Sequence, residues 1–334
     1  MLRFVVRRLL WLPIMLFGVI TLVFLLTNIT PSKAIYIRLG ESGTAADVQN
    51  LIERYNLDKP ILQRYFAYMA ALFKGDLGES MAEGRPVARD LAEFLPASIE
   101  LVLSSLVLIA ILGVLLGIAS AVYKNRWPDT LARGIAVTGL AMPQFWLAIM
   151  LYLLFFYQLN LLPGGGRISP MIGPPRHATG LYILDSVLAG DWDALVSSIR
   201  HLILPVITLS LTRLSTMTRM TRTAFLDVLS KDFMLTHQSH GYSRFRNVFR
   251  YGLKNALSPI LSVLGLLIGG LFAGTFLVET VFSFPGVGYY AITAITHSDF
   301  QPAIASAIFF SLLYGIVNVL VDVGYAALDP RVRY

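Results

Sequence analysis

The chain has 334 residues, 56% of them hydrophobic and 14% charged, with a formal net charge of +7 and no cysteine; its mean hydropathy is +0.66. A soluble domain carries about 25% charged residues, so this composition excludes an ordinary soluble protein and points to several membrane-crossing segments. The missing cysteine excludes disulfides, thiolate-bound zinc and thiol catalysis, and in so apolar a chain the basic surplus reads as a marker of membrane orientation rather than of nucleic-acid binding.

The chain opens with Arg3, Arg7 and Arg8 ahead of a long apolar run. A cleaved signal peptide would have an apolar core of roughly 7–15 residues and a small-residue exit. This run is about 20 residues long and leaves through Thr27-Asn28-Ile29-Thr30-Pro31, so a retained first span is expected. Further apolar runs bring the spans to six, near 9–30, 98–122, 134–159, 202–226, 257–279 and 303–326. Backbone groups cannot go unpaired in lipid, and no short alternating segments of a β-barrel are visible, so all six are expected as helices.

Basic residues set the orientation. With the N-terminus inside, the inner segments hold Arg3, Arg7, Arg8, Lys124, Arg126, Arg133, Arg219, Arg222, Lys231, Arg244, Arg246, Arg250, Lys254, Arg331 and Arg333 against only Asp129, Asp227, Asp232 and Asp329. The outer segment 31–97 is nearly balanced. The positive-inside rule therefore predicts an N-in, C-in protein. Three parts are expected: the N-terminal tip and first span at 1–30, an outer helical segment at 31–97, and a core at 98–334 containing a cytoplasmic loop at 227–256.

In the outer segment, Thr44 followed by Asp47 predicts a helix start, with Val48, Leu51, Ile52 and Tyr55 on one face. Pro60 predicts the first turn of a second helix, which continues through Ile61, Tyr65, Met69 and Phe73 and ends near Gly75. The second outer segment, 160–201, reads as a flexible loop from Pro163-Gly164-Gly165-Gly166 and Pro174-Pro175. It lacks the GxxxxGK[ST] spacing of a phosphate-cradling loop, as does the rest of the chain.

Ionisable residues in spans are functional hypotheses, because burying one in lipid costs about 2.5–3.5 kcal/mol on insertion scales. Here they are Glu100, Arg213, Arg219, Glu279 and Asp322, with Arg213 the deepest and able to pair with Glu279 or Asp322; Asn318 and Asp322 share a face. Carboxylates are too few for a self-powered ion-coupled carrier. Gly265, Gly269 and Gly270 share a helical face that suits a tight helix contact or a pathway lining. Arg213, Gly265, Gly269 and Glu279 are the candidate pathway or gate residues. His237 and His240 lie three apart, but no further ligand-type cluster joins them as a metal site would need.

The loop divides in two. Asp232 to His240 is a short polar helix stopped by Gly241. Ser243 then caps a second helix, with Arg246, Arg250 and Lys254 on one face and Phe245, Phe249 and Leu253 beside them, predicting an amphipathic helix at the membrane surface.

At these residues the sequence resembles the permease subunits of bacterial ABC importers of the dipeptide/oligopeptide/nickel class, in the form with the larger first outer segment. The resemblance rests on Arg7-Arg8-Leu9, Leu57-Asp58-Lys59-Pro60, Lys74 through Ser80, Leu95 through Leu101, Pro143 through Trp146, Leu162-Pro163, Arg219 through Arg222, Asp232-Phe233, Gly241, Lys254 through Leu257 with Pro259, Glu279 through Gly288, Asn318 through Asp322, and Asp329-Pro330-Arg331. It implies a six-helix, all-α type I importer fold in the bacterial inner membrane. It further implies a transport complex with a second permease, two ATPase subunits that bind ATP and Mg, and a periplasmic binding protein that delivers solute. This chain itself would hold no cofactor and be no enzyme. The segment Asp232, Leu235, Thr236, His237, Gln238, Ser239, His240 and Gly241 would be the coupling helix that docks in the ATPase. Small residues are usual before that glycine, and the two histidines depart from the pattern. Peptides are the expected solute; nickel chelates, glutathione, oligosaccharides and opine-like compounds are the family's others. A stand-alone carrier or channel is the alternative function.

Overall fold

The computed structural model describes residues 2–27, 35, 38–39 and 44–328, with side chains over 13–26, 35, 38–39, 44–317 and 319. The side chains of Arg3, Arg7, Arg8, Asn318 and Asp322, and all of Asp329, Arg331 and Arg333, lie outside the described residues.

The described residues are helical, with one isolated bridge between Glu79 and Pro86. In chain order the helices are α1 (Leu2–Thr27), α2 (Ala45–Arg54), α3 (Ile61–Phe73), α4 (Val87–Val122), α5 (Trp127–Ala141), α6 (Gln144–Gln158), α7 (Tyr182–Ala189), α8 (Trp192–Leu229), α9 (Asp232–Ser239), α10 (Arg244–Val281), α11 (Val287–Thr296) and α12 (Phe300–Leu328). Four stretches are long and apolar enough to cross a membrane: α4, α8, α10 and the Phe300–Val317 part of α12. The pair α5 and α6 makes a fifth if a break is allowed, and α1 contributes the shorter apolar stretch Pro13–Leu26.

The third expected span is therefore not one straight helix. Its halves meet at 106°. The cause lies at Met142-Pro143: a residue before proline is pushed out of the α region, and Met142 sits at φ −89°, ψ 125°. Chain continuity differs from expectation in the opposite sense at Arg244. The surface helix expected from Ser243 onwards is the beginning of α10, joined to the span through a π-helical turn at Asn247–Gly252.

Helix α8 is the centre of the bundle and packs against α4, α5, α6, α7 and α10. Small residues on α4 permit its closest approach: a Cβ at Gly117 would lie 2.8 Å from the Thr218 carbonyl oxygen, and one at Gly113 2.7 Å from Met217. Leu101, Ile109, Leu204, Met217, Phe225 and Leu271 form the buried centre.

The outer segments are pinned to this bundle. Thr44 and Asp47 form a reciprocal capping box on α2, with the Thr44 amide donating to Asp47 Oδ2 at 3.0 Å and the Asp47 amide to Thr44 Oγ1 at 3.3 Å. Helix α3 packs its Tyr68 with Phe24 of α1 and Phe300 of α12. The stretch after α3 is held by Asp299, which accepts from Ser80 Oγ (2.6 Å) and from the amides of Met81 (3.1 Å) and Ala82 (2.9 Å). Burial pushes the Asp299 carboxyl above its ordinary range, partly offset by those donors.

The second outer segment is built rather than slack. Arg167 donates to Glu100 Oε2 at 2.6 Å and to the Gly180 carbonyl at 2.9 Å, while the Ile183 amide donates to Glu100 Oε1 at 2.7 Å. The guanidinium also lies 3.6 Å from the Tyr182 ring centroid. Asp185 accepts from the amides of Ala178, Thr179 and Gly180. Burial alone would raise its pKa, but the hydrogen bonds from Thr179 and its neighbours outweigh that and hold the carboxyl below its ordinary value.

Candidate functional site

Helix α9 is short, and its sides differ in exposure. Met234 is buried under it, and Phe233 and His237 are half-buried; Asp232, Leu235, Thr236, Gln238, Ser239 and His240 are exposed. Leu235, at 59% exposure, is an apolar side chain on an otherwise polar surface. Gly241 ends the helix at φ +75°, and a Cβ there would meet nothing within 4 Å. The Gly241 amide donates to Gln238 O at 2.9 Å and the Tyr242 amide to His237 O at 3.2 Å, closing the carbonyls that a helix end leaves unpaired.

The two histidines part company. His240 is exposed and its Nδ1 donates to the Thr236 carbonyl at 2.8 Å. His237 turns inward. Its ring centroid lies 4.2 Å from that of Tyr251, 5.4 Å from Tyr242 and 5.8 Å from Phe233, and Tyr242 and Tyr251 stack at 12° between planes. His237 thus belongs to the packing that fixes α9 on α10, and not to its exposed surface. Sequence periodicity could not separate them, because residues three apart share a helical face; Tyr251, which captures one ring, comes from another helix.

The pathway candidates scatter. Gly269 is buried, and a Cβ there would lie 2.8 Å from the Tyr314 ring of α12; Gly265 is half-buried. Arg213 is half-buried and donates to the Gly270 carbonyl at 3.0 Å. Gly269 is thus at a close contact with α12 and Gly270 with Arg213 of α8. Arg213 does not reach Glu279, and its suggested partner Asp322 lies outside the described side chains.

Glu279 faces no open space. It is 0% exposed, accepts from Ser98 Oγ at 2.7 Å through Oε1 and from the Tyr289 amide at 3.0 Å through Oε2. Ser98 Oγ in turn accepts from the Val287 amide at 2.8 Å. A carboxylate at the start of α11 satisfies amides that a helix N-terminus leaves free and opposes its dipole. Gly286 and Gly288 let it approach, since a Cβ at Gly288 would lie 2.9 Å from Oε2. The motif Glu279 through Gly288 is therefore a unit in which α10, α11 and α4 are locked together.

Near the α9 end of the bundle, Asp129 is fully buried in its side chain and accepts from Arg222 Nε at 3.0 Å, Ser120 Oγ at 2.5 Å and the Asn125 amide at 2.9 Å. Arg244 donates to the Val122 carbonyl at 2.9 Å. These bonds fasten the α4–α5 turn to α8 and α10, next to the seat of α9. In the sequence Asp129 is legible as an orientation charge and Arg222 as that and as part of the Arg219–Arg222 motif; their pairing across distant positions left no local signal.

Residues 113–334 match the family of binding-protein-dependent transport system inner membrane components, and residues 1–102 match the N-terminal family of such membrane components. The probable D,D-dipeptide transport system permease protein DdpB of Escherichia coli (strain K12) is 39% identical over 329 residues, covering 98% of this chain and 97% of that protein. The dipeptide transport system permease protein DppB of Alkalihalophilus pseudofirmus is 38% identical over 334 residues, 100% of each chain. The glutathione transport system permease protein GsiC of Escherichia coli O6:H1 is 34% identical over 334 residues, also 100% of each. The chain belongs to the family of binding-protein-dependent transport system inner membrane components and is a permease subunit of an ABC importer.

Proposed function

We propose that this subunit forms, with a second homologous permease, the route by which di- and oligopeptides cross the bacterial inner membrane. A periplasmic binding protein delivers the solute, and two ATPase subunits hold the ATP and Mg. The observation that carries the reading is end-to-end similarity, at 38–39% identity, to permeases named for dipeptide and D,D-dipeptide transport. Six spans with both termini inside fit the positive-inside count, with the α5–α6 pair as one broken span.

In this orientation α9, with Gly241, docks on an ATPase subunit. The stiff attachment of α9 through Met234 and the His237–Tyr251 contact supports it as a lever between ATPase and bundle. Arg213, Gly265 and Gly269 then lie where α8, α10 and α12 must shift against one another as the route opens; Glu279 keeps α10 and α11 moving as one. The partition at 1–30, 31–97 and 98–334 stays a proposal; the Asp299 bonds to Ser80, Met81 and Ala82 tie its second part to its third, while α4 runs unbroken across 97/98. Alternating access driven by the ATPase dimer is the mechanism.

The test is purification of the tagged chain from its own membranes followed by uptake in vesicles. Co-purification of ATPase subunits and ATP-dependent dipeptide uptake are expected. A chain that comes out alone and transports without ATP would establish the stand-alone carrier instead.

A further inference from the structure

A cavity of about 810 Å³ opens beside the outer end of α8, between α6, the segment that follows it, and the C-terminal end of α10. Its volume suits a small-molecule site, for which 300–1,000 Å³ is usual. Asp193, Arg200, His201, Asn160, Ser169 and Ser283 supply its polar lining. Asp193 has no hydrogen bond or ion pair among the described residues. Arg200 gives one donor to the Leu161 carbonyl at 2.8 Å and has no carboxylate partner among the described residues, which leaves most of its fork for a ligand. His201 Nδ1 donates to the Ser197 carbonyl at 2.7 Å, which leaves Nε2 of the neutral ring as an acceptor. Tyr152 and Phe156 add an aromatic wall.

Two exposed charges of opposite sign on one wall of the cavity suit a zwitterion. Asp193 and Arg200 are seven residues apart, so they share a face of α8 about 10.5 Å apart along its axis. The ammonium nitrogen and carboxylate carbon of a dipeptide are at most about 6.8 Å apart, within the reach of two side chains so spaced along one face. Ser283 and Asn160, at the rim, both hold left-handed backbone, φ +45° and +49°, a conformation most side chains avoid and that persists where surroundings over-determine it.

We propose that this cavity is a subsite for the backbone of a short zwitterionic peptide, with Asp193 taking the ammonium group, Arg200 the carboxylate and His201 a peptide N–H. Arg200 lies two turns further along α8 than Asp193, so in the proposed orientation the peptide enters carboxylate first. The subsite rests on the peptide-transport reading above. It gives this subunit its own selectivity for free termini, downstream of capture by the binding protein.

The experiment uses the complete transporter in proteoliposomes with dialanine-loaded binding protein at saturation, measuring dialanine imported and ATP hydrolysed in parallel. Asp193→Asn and Arg200→Gln are each expected to lower dialanine imported per ATP by about tenfold, the scale of one charge-assisted hydrogen bond. Arg200→Lys, which keeps the charge, should stay within about threefold of wild type. A fall of less than threefold in both neutral variants would overturn the subsite. So would Arg200→Lys falling as far as Arg200→Gln, because the Leu161 contact rather than the charge would then be what matters. A wild-type complex that imports no dialanine would overturn the peptide reading and the subsite with it, whereas a competent wild type with equally competent variants overturns the subsite alone.

Discussion

The buried carboxylate of Glu279 shows how one residue can join three helices. Its carboxyl group sits where α11 presents free amides, and Ser98 of α4 donates a bond from Oγ to Oε1 while accepting from Val287. Removing that hydroxyl leaves both a buried amide and a buried carboxylate oxygen short of a partner, at a cost of about 1–3 kcal/mol for each unsatisfied group. Ser98→Ala is therefore expected to lower the melting temperature of the detergent-solubilised transporter; an unchanged melting curve would show that the relay contributes nothing. An ionisable residue in an apolar run marks itself in sequence as consequential. Its partners do not, because Ser98 and Val287 are 181 and 189 residues distant from Glu279 and Ser98 respectively. The same holds for Glu100, legible as a charge near a span end but not as the anchor of Arg167.

Helix α9 raises the question of element scale: what its end must be, given its exposure. Gly241 needs left-handed backbone, which costs an ordinary L-residue roughly 1–2 kcal/mol, yet the space around its Cα is open. Asparagine tolerates that backbone region far better than other side-chain-bearing residues and adds volume only on the exposed side. Gly241→Asn should therefore leave the melting temperature of the complex nearly unchanged. If α9 docks in an ATPase subunit, it should nonetheless reduce ATP-driven uptake several-fold while hydrolysis continues. Unchanged uptake would remove Gly241 from the docking surface. Helix existence here was legible because Asp232 and Gly241 punctuate it and Pro60, Pro143 and Gly75 punctuate others. What local pattern could not supply was continuity: the apolar run 134–159 reads as one span and does not reveal the 106° bend at Met142-Pro143. The polar start of α10 looked like a separate helix because its charges differ from the apolar run it joins.

For the whole molecule, length and charge together support the proposed orientation. Helix α8 has 38 residues, about 57 Å at 1.5 Å per residue, against a hydrocarbon core of about 30 Å. It must protrude on both sides, and its two ends must face different compartments if it crosses at all. Its last turns carry Arg219 and Arg222 and lead into Lys231, Arg244 and Arg246, while the segment before its start balances Arg167 and Arg176 with Asp185 and Asp191, Arg167 being buried against Glu100. Positive charge is retained on the cytoplasmic side, so the proposed orientation puts the α9 end inside. The absence of native cysteine makes this testable without background. Met171, 98% exposed in the segment before α8, and Ser243, exposed after it, lie on opposite sides of this one helix. A membrane-impermeant thiol reagent applied to intact cells with a permeable outer envelope should label Met171→Cys and spare Ser243→Cys; inside-out vesicles should reverse the pattern. Labelling of both from one side would show that α8 does not cross, and the exchanged pattern would place α9 outside, where no ATPase could reach it.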